Sequence, residues 1–414
     1  MSEINPMIFR EYDIRGVYPD EFDEDAAYKI AAAFCQYLEQ KKHFGPVVVG
    51  YDARISSPSL ANAFRQGVLD QGRDALDLGM VSTPLFYFAF NSAKAAGGAM
   101  VTASHNPETF NGLKLLREGG EIVYEKDGFS EIKKLLESAA GRKLEGGSSI
   151  KKEFRGEYFT FLKKFAEIKR PLKITLEASD GSAYPLAKEF IGGLENVRAV
   201  EAGADLGFKL DSDGDRIVFS DENKGAVSPN LAYAFLLDKA LEPGDLVLAS
   251  VSMSKIIDEV CFRRGASLSR VRVGHANIKS AMRVENARFA GELSGHFYFR
   301  DFFYSDSALF MLAHILTLVS KSGRPFSELL SPYQKYFHSG ELNFETRNSE
   351  DIIERLKKEY SDGRQSFLDG LTVEFSGWWF NLHASKTEPL VRLVVEADKK
   401  ELMEEKIKEL TEKI

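Results

Sequence analysis

Hydrophobic and polar positions along the first 150 residues alternate between two periods. Residues 26–38 (AAYKIAAAFCQYL) carry apolar groups at helical spacing, whereas Pro46–Gly50 and Asp74–Leu78 are short runs of the kind that form buried strands. Ser57-Pro58 supplies an N-cap and a proline at the first helical position, and Gly72 a helix stop. Repeated strand–helix alternation predicts parallel strands with helical crossovers. Gly97–Val101 is small and apolar, a packed strand, and it runs into V-T-A-S-H-N-P-E-T-F-N-G-L-K-L at 101–115. Pro107 keeps Asn106 out of the helical region, which predicts a stiff, exposed loop at Ser104 and His105, followed by an Asn111-Gly112 turn before Lys114.

The same rhythm continues beyond a Gly/Ser-rich stretch at 141–149, which reads as a linker. Strands are expected at Lys173–Glu177, Leu206–Leu210 and Ile217–Phe219, a helix at Ser228–Leu241, and a further strand at Asp245–Ser250. From Gly340 onward the pattern changes to paired strands, Gly370–Phe375 and Trp378–Leu382, then Arg392–Glu396 and a charged helix at Lys399–Lys413. The expected division is 1–145, 150–243, 244–335 and 336–414: three α/β units and a smaller α+β unit.

Composition narrows the function. The 414 residues are 44% hydrophobic and 28% charged, ordinary for a globular chain, and the net charge of −8 argues against a nucleic-acid surface. Cys35 and Cys261 form no metal or redox motif. No signal peptide is apparent, and no apolar run reaches the ~20 residues of a membrane span. A cytoplasmic chain is the expectation, with no membrane or nucleic-acid partner; an oligomeric partner is not implied.

Four further stretches carry chemistry. Arg10, Tyr12, Asp13 and Arg15 alternate with apolar residues, which suits an ordinary edge strand as well as a polar face. Asp211, Asp213 and Asp215 stand at alternate positions of D-S-D-G-D-R, a pattern able to hold Mg²⁺ or Ca²⁺ if the loop curves. An EF-hand would also place an acid at its twelfth position, as Glu222 does, but it needs glycine where Arg216 stands and helices where the flanks are strand-like. Gly291-Glu292-Leu293-Ser294-Gly295-His296 offers donors and acceptors suited to sugar hydroxyls, or a structural turn. Ser385-Lys386-Thr387 offers hydroxyls, a lysine and turn N–H groups to an anion.

T-A-S-H-N-P, taken with F-R-E-Y-D-I-R-G, N-G-L-K, D-S-D-G-D-R, G-E-L-S-G-H and S-K-T-E-P, resembles the α-D-phosphohexomutases along almost the whole chain and in that family's order. The resemblance implies four domains around a central cleft and a phosphoserine enzyme interconverting hexose 6-phosphate and hexose 1-phosphate through a hexose 1,6-bisphosphate that also serves as activator. It makes Ser104 the phosphorylated nucleophile, with His105 and Arg15 beside it. Asp211, Asp213, Asp215 and a Ser104 phosphoryl oxygen become the Mg²⁺ ligands, with Arg216 neutralising phosphate. Asp52 and Arg54, in a G-x-D-x-R match, become supporting residues. Glu292 and Ser294 become contacts to O3 and O4 of the sugar, with His296 and His275 nearby, although His275 also suits a packed strand end. Ser385, Lys386, Thr387 and Arg392 become the phosphate site. Lys114 is the candidate general acid–base if its surroundings lower its pKa, and otherwise a permanent counter-ion. The chain departs from the family at His383, where arginine is expected, and at Lys386, in place of asparagine or glycine. D-G-L-T-V-E-F…W-W-F-N-L resembles phosphomannomutase/phosphoglucomutase members, with phosphoglucosamine mutase, or a catalytically weak sugar-phosphate binding protein, as the alternatives.

Overall fold

Short β-branched or small-residue runs, punctuated by helices with one apolar face, assemble into a sheet covered on both sides. The computed structural model describes residues 4–104, 106–346, 348–385 and 389–414. Ile14–Val17 (β1), Val47–Tyr51 (β2), Ala75–Met80 (β3), Gly97–Val101 (β4), Phe110–Arg117 (β5), Glu121–Val123 (β6) and Ser149–Lys151 (β7) form the first sheet. Their order is β1-β5-β4-β2-β3-β7, with β6 beside β5. Glu24–Gln40 (α1) leads from β1 into β2, which pairs in parallel with β3 and β4 through Ser57–Asp70 (α2) and Thr83–Ser92 (α3), whereas β5 runs antiparallel to both β4 and β1. Covered faces explain why β2 and β4 are apolar at nearly every position rather than alternating. α1 inserts Ile30, Phe34, Tyr37 and Leu38 into the core beneath the sheet.

The chain divides into two compact units, Met1–Ala202, Phe208–Ile217 and Asp301–Thr317 in one, and Gly203–Gly207, Val218–Arg300 and Leu318–Ile414 in the other. Besides the first sheet, the first unit holds the parallel strands Leu172–Leu176 and Val197–Ala199 and the helices Arg155–Lys163 and Ala183–Gly192. An aromatic cluster packs here, with Phe165 and Phe310 centroids 4.4 Å apart and Phe88 and Tyr158 at 5.3 Å. In the second unit, Leu246–Ser250 pairs in parallel with Ser267–Val271 and Phe289–Gly291, and Phe297–Phe299 pairs antiparallel with Phe289–Gly291. Its C-terminal portion is an antiparallel sheet of Arg364–Ser366, Leu371–Phe375, Trp378–Ala384 and Leu390–Ala397. The helices Ser349–Glu359 and Lys400–Thr411 pack on this sheet, contributing Leu356 and Leu410 to its core. The molecule is thus a multidomain α/β protein ending in an α+β portion. Among the described residues no helix is long and apolar enough to cross a membrane.

Four local expectations differ from the structure. Asn111 and Gly112 lie inside β5, not in a turn, because Gly112 faces Arg15 of β1. A Cβ at Gly112 would stand 1.9 Å from the Ile14 carbonyl oxygen, so only glycine lets β1 approach this closely. Residues 10–13 are not a strand; only Ile14–Val17 is. Ser57 is the first helical residue rather than the cap, and its hydroxyl donates to Asp52 Oδ1 at 2.5 Å. The 141–149 stretch is tied to the first sheet, with Leu144 N donating to Asp70 O at 2.7 Å and Ala75 N to Ser148 O at 2.9 Å.

Candidate functional site

β2 and β4 run in register, Tyr51 beside Val101, so the residues that follow them leave the sheet at the same edge. That edge is where open α/β sheets place ligands. One side of it is Asp52–Arg54, the other Thr102–Ser104. Arg54 spreads its guanidinium over the serine loop, donating to Ser104 O and Asn106 O at 2.7 Å, Pro107 O at 2.8 Å and Phe110 O at 3.1 Å. Asp52 accepts from Arg54 Nε at 3.2 Å and thereby aims it. With its donors spent on backbone carbonyls, Arg54 builds the loop, as a supporting residue would. Ser104 itself has φ +51°, a conformation uncommon for a side chain other than glycine and one that clusters at functional sites. Its N–H is held by Thr102 Oγ1 at 2.9 Å. Contrary to the exposed loop expected, Ser104 is only 4% exposed, because the acidic loop lies over it.

That acidic loop joins the strands Leu206–Leu210 and Ile217–Ser220, so its flanks are strands and not EF-hand helices. It curls around Asp211 Oδ1, which accepts from Gly214 N at 3.0 Å and Arg216 N at 3.1 Å. Two helix N-termini receive it. Thr83, the first residue of α3, donates its N–H to Asp213 O at 2.9 Å and its hydroxyl to Asp213 Oδ2 at 3.0 Å. Ser182 N, at the start of Ala183–Gly192, donates to Ser212 O at 3.0 Å. A Cβ on Gly181 would come within 2.2 Å of that same oxygen. Free N–H groups and the positive end of the helix dipole suit a loop carrying three carboxylates. Oxygens of Asp211, Asp213 and Asp215 lie within 4.8 Å of one another. Burial, then the charges of Asp215 and Asp213, hold the Asp211 carboxyl well above the usual carboxylate range. Three converging hard oxygen donors in a region that disfavours their combined charge fit a divalent cation such as Mg²⁺.

The serine and the acidic loop meet directly. Ser104 Oγ donates to Asp213 Oδ1 at 3.3 Å, and Ser212 Oγ reaches Ser104 O at 3.4 Å. Lys114, on β5 beside Met100, projects into the same space, 3.2 Å from Asp213 Oδ2 and 2.9 Å from Asp215 Oδ2. Burial works against its charge, but Asp213 and Asp215, joined by Tyr87 and Asp306, outweigh that and hold its ammonium well above the usual lysine range. These carboxylates favour the charged ammonium, the form a phosphate counter-ion needs. Arg15 donates from Nε and Nη2 to Asp13 Oδ2 at 2.9 and 2.7 Å and from Nη1 to the Asn106 side chain, which fixes its head beside the serine loop. Arg216 Nε lies 3.8 Å from Asp211 Oδ2. His105 lies outside the described residues. Both cysteine thiols are pushed up to about 12, chiefly by burial, and offer no competing nucleophile.

In the second unit, Glu292, Ser294 and His296 do come together. Glu292 Oε1 accepts from Gly274 N at 2.9 Å and its other oxygen from the Tyr298 hydroxyl, while Ser294 Oγ pairs with His296 Nδ1 at 2.9 Å. Glu292 is buried and Ser294 exposed. His275 begins the helix His275–Glu285 immediately after Gly274. Ser385 N donates to Leu390 O at 2.8 Å at the base of the anion loop, whose Lys386 and Thr387 lie outside the described residues. Arg392 stands opposite His383 on the neighbouring strand, with Nη1 3.4 Å from Glu341 Oε1. His383 is buried and pairs through Nδ1 with Asn381 Oδ1 at 2.8 Å.

Motif reading missed Thr83, Asn106, Tyr87 and Asp306. A helix start right after a parallel strand, as in Ser82-Thr83-Pro84, was the available signal for Thr83. Asp306 was signalled only by being an acid within the aromatic run F-F-Y-S-D-S. Thr83→Val keeps the shape and removes the hydroxyl donor to a buried carboxylate, a loss of about 1–3 kcal/mol. We expect Mg²⁺ affinity, measured by titration calorimetry, to fall about tenfold on that scale, with the circular dichroism spectrum unchanged and Thr83→Ser restoring binding.

The chain is similar to known proteins over most of its length. Family models described as phosphoglucomutase/phosphomannomutase, alpha/beta/alpha domain I and domain III, match residues 6–142 and 230–336. The chain is 34% identical, over 94% of each sequence, to a protein of Xanthomonas campestris pv. campestris named for phosphohexose mutases. It is 32% identical to a phosphomannomutase of Methanocaldococcus jannaschii, covering 98% of this chain and 96% of that one. A crystal structure of a phosphoglucomutase/phosphomannomutase family protein from Burkholderia thailandensis aligns with a TM-score of 0.89 at 26% identity, over 99% of this chain and 97% of that one. The chain therefore belongs to the phosphoglucomutase/phosphomannomutase family of phosphohexomutases, which are isomerases.

Proposed function

We propose that this phosphohexomutase interconverts hexose 6-phosphate and hexose 1-phosphate, of mannose, glucose or both, through a phosphorylated Ser104 and a hexose 1,6-bisphosphate. The observation that carries this reading is the placement of Ser104 Oγ 3.3 Å from Asp213 within the cluster of three aspartates. The phosphomannomutase names of relatives at about a third identity support the sugar assignment.

In the first half-reaction the Ser104 Oγ–P bond breaks as a hexose hydroxyl oxygen bonds to phosphorus, and the hydroxyl proton is finally carried by Ser104 Oγ. The second half-reaction returns the other phosphoryl group of the bisphosphate to Ser104. Asp211, Asp213 and Asp215, with a Ser104 phosphoryl oxygen, would hold Mg²⁺, which offsets charge on the transferring group. Lys114 serves as a permanent cation, stabilising the phosphoryl oxygens electrostatically rather than moving the proton. Arg15, fixed by Asp13 and Asn106, adds a second positive charge, and Arg216 a third. Glu292, Ser294, His296 and His275 receive the sugar; Ser385, Lys386, Thr387 and Arg392 receive the phosphate that is not being transferred. The corresponding division is residues 1–145 for the serine loop, 150–243 for the metal loop, 244–335 for the sugar loop and 336–414 for the phosphate loop.

The test is a parallel assay of mannose, glucose and glucosamine 1-phosphates with trace bisphosphate activator. Turnover of the first two, with glucosamine 1-phosphate slow, is the expected result. Preference for glucosamine 1-phosphate would reassign the substrate, and no turnover of any of them by Ser104-phosphorylated protein would overturn the reaction.

A further inference from the structure

Residues Arg272–Gly274 lie between the strand Ser267–Val271 and the helix His275–Glu285, in neither element. Backbone N–H groups in such a connection need acceptors from elsewhere. Two side chains supply them at consecutive positions. Asp369 Oδ2, from the antiparallel C-terminal portion, accepts from Val273 N at 2.8 Å, and Glu292 Oε1 accepts from Gly274 N at 2.9 Å. Asp369 is only 7% exposed, and Arg272 Nε stands 3.8 Å from its other oxygen. The carboxylate is itself located from the strand that leads to the anion loop: Asn381 Nδ2 donates to Asp369 O at 3.0 Å, and Asn381 Oδ1 pairs with His383 Nδ1 at 2.8 Å. Hydrogen bonds of Asn381, Asp369 and Glu292, all within the second unit, thus link the strand that leads to the anion loop with the 272–274 connection and Glu292.

We propose that Asp369 is a positioning residue for sugar binding: by holding Val273 N–H it orients the connection whose next N–H fixes Glu292 and whose next residue is His275. This rests on the sugar-binding reading of Glu292. The carboxylate touches no substrate; it acts through the backbone at 273–275. Because sugar hydroxyls are held similarly in ground and transition states, its loss shows in KM.

Steady-state kinetics on the full chain with mannose 1-phosphate and glucose 1-phosphate test the idea. Asp369→Ala should raise KM about tenfold for both sugars while kcat changes by less than about threefold. Asp369→Asn keeps an acceptor oxygen for Val273 N–H and should restore KM to within about threefold of the parent, and it also serves if the alanine variant does not fold. In a double-mutant cycle with Glu292→Gln, the two effects on KM should be strongly non-additive, since both act on one connection. If Glu292→Gln raises KM and Asp369→Ala does not, or if Asp369→Asn is as impaired as alanine, the positioning role is overturned. If Glu292→Gln leaves KM unchanged, the failure lies in the sugar-binding reading instead.

Discussion

Ser104→Ala is expected to abolish mutase turnover, by about four orders of magnitude or more, the scale of losses when a covalent nucleophile is deleted. The fold should survive. Alanine meets the same backbone strain at φ +51°, and the hydroxyl's bond to Asp213, at 3.3 Å, is long. Its removal should alter stability by no more than about 1 kcal/mol. Intact-mass spectrometry of the parent protein incubated with hexose 1,6-bisphosphate should show a species about 80 Da heavier, the mass of an added HPO₃ group. The variant should lack it. An alanine variant that still turns over would remove Ser104 from the chemistry, whereas loss of turnover together with loss of the folded spectrum would show that burial had made the residue structural.

Asp213→Asn carries the second large effect. Asp213 is fully buried and is shared by four groups: the Thr83 hydroxyl, Thr83 N–H, Ser104 Oγ and Lys114 Nζ. Replacing its carboxylate by an amide removes one charged hard ligand and one of the two carboxylates paired with Lys114. Mg²⁺ affinity measured by calorimetry should fall about a hundredfold or more, since even outer-shell partners of metal ligands are worth 10–100-fold. The shape is conserved, so a collapse of the fold is not expected. Unchanged Mg²⁺ affinity would mean that the aspartates serve Lys114 and the helix termini alone, and the metal assignment would be withdrawn.

The two predictions depend on different kinds of information. Strand and helix positions were legible because period-2 and period-3.6 patterns are local. Leu206–Leu210 was placed as observed, and the helix expected from Ser228 begins at Pro229, with Ser228 as its cap accepting from Leu231 N. Chemical identity was legible for a related reason: three aspartates at alternate positions, or a serine between a packed strand and Asn-Pro, are compact signals that need no partner to be read. Charge state and orientation were not legible. Lys114 and Asp215 are separated by 101 residues, yet their side chains meet at 2.9 Å. Ser104 looked exposed because the loop that covers it is 109 residues away. Asn111-Gly112 looked like a turn because the dipeptide is common in turns, and only the approach of β1 shows why glycine is needed inside a strand.

By itself, then, the sequence determined the elements, the α/β class and the motifs that carry the family resemblance. Tertiary structure alone decided that Arg54 spends its guanidinium on backbone carbonyls, that two helix N-termini hold the acidic loop, and that Asp369 and Glu292 accept from the consecutive N–H groups of Val273 and Gly274. The physical reason is that periodicity reports which face of an element is buried. A hydrogen bond or a pKa reports what lies on the other side of that face, and in this protein the other side is usually supplied by a segment tens to hundreds of residues distant.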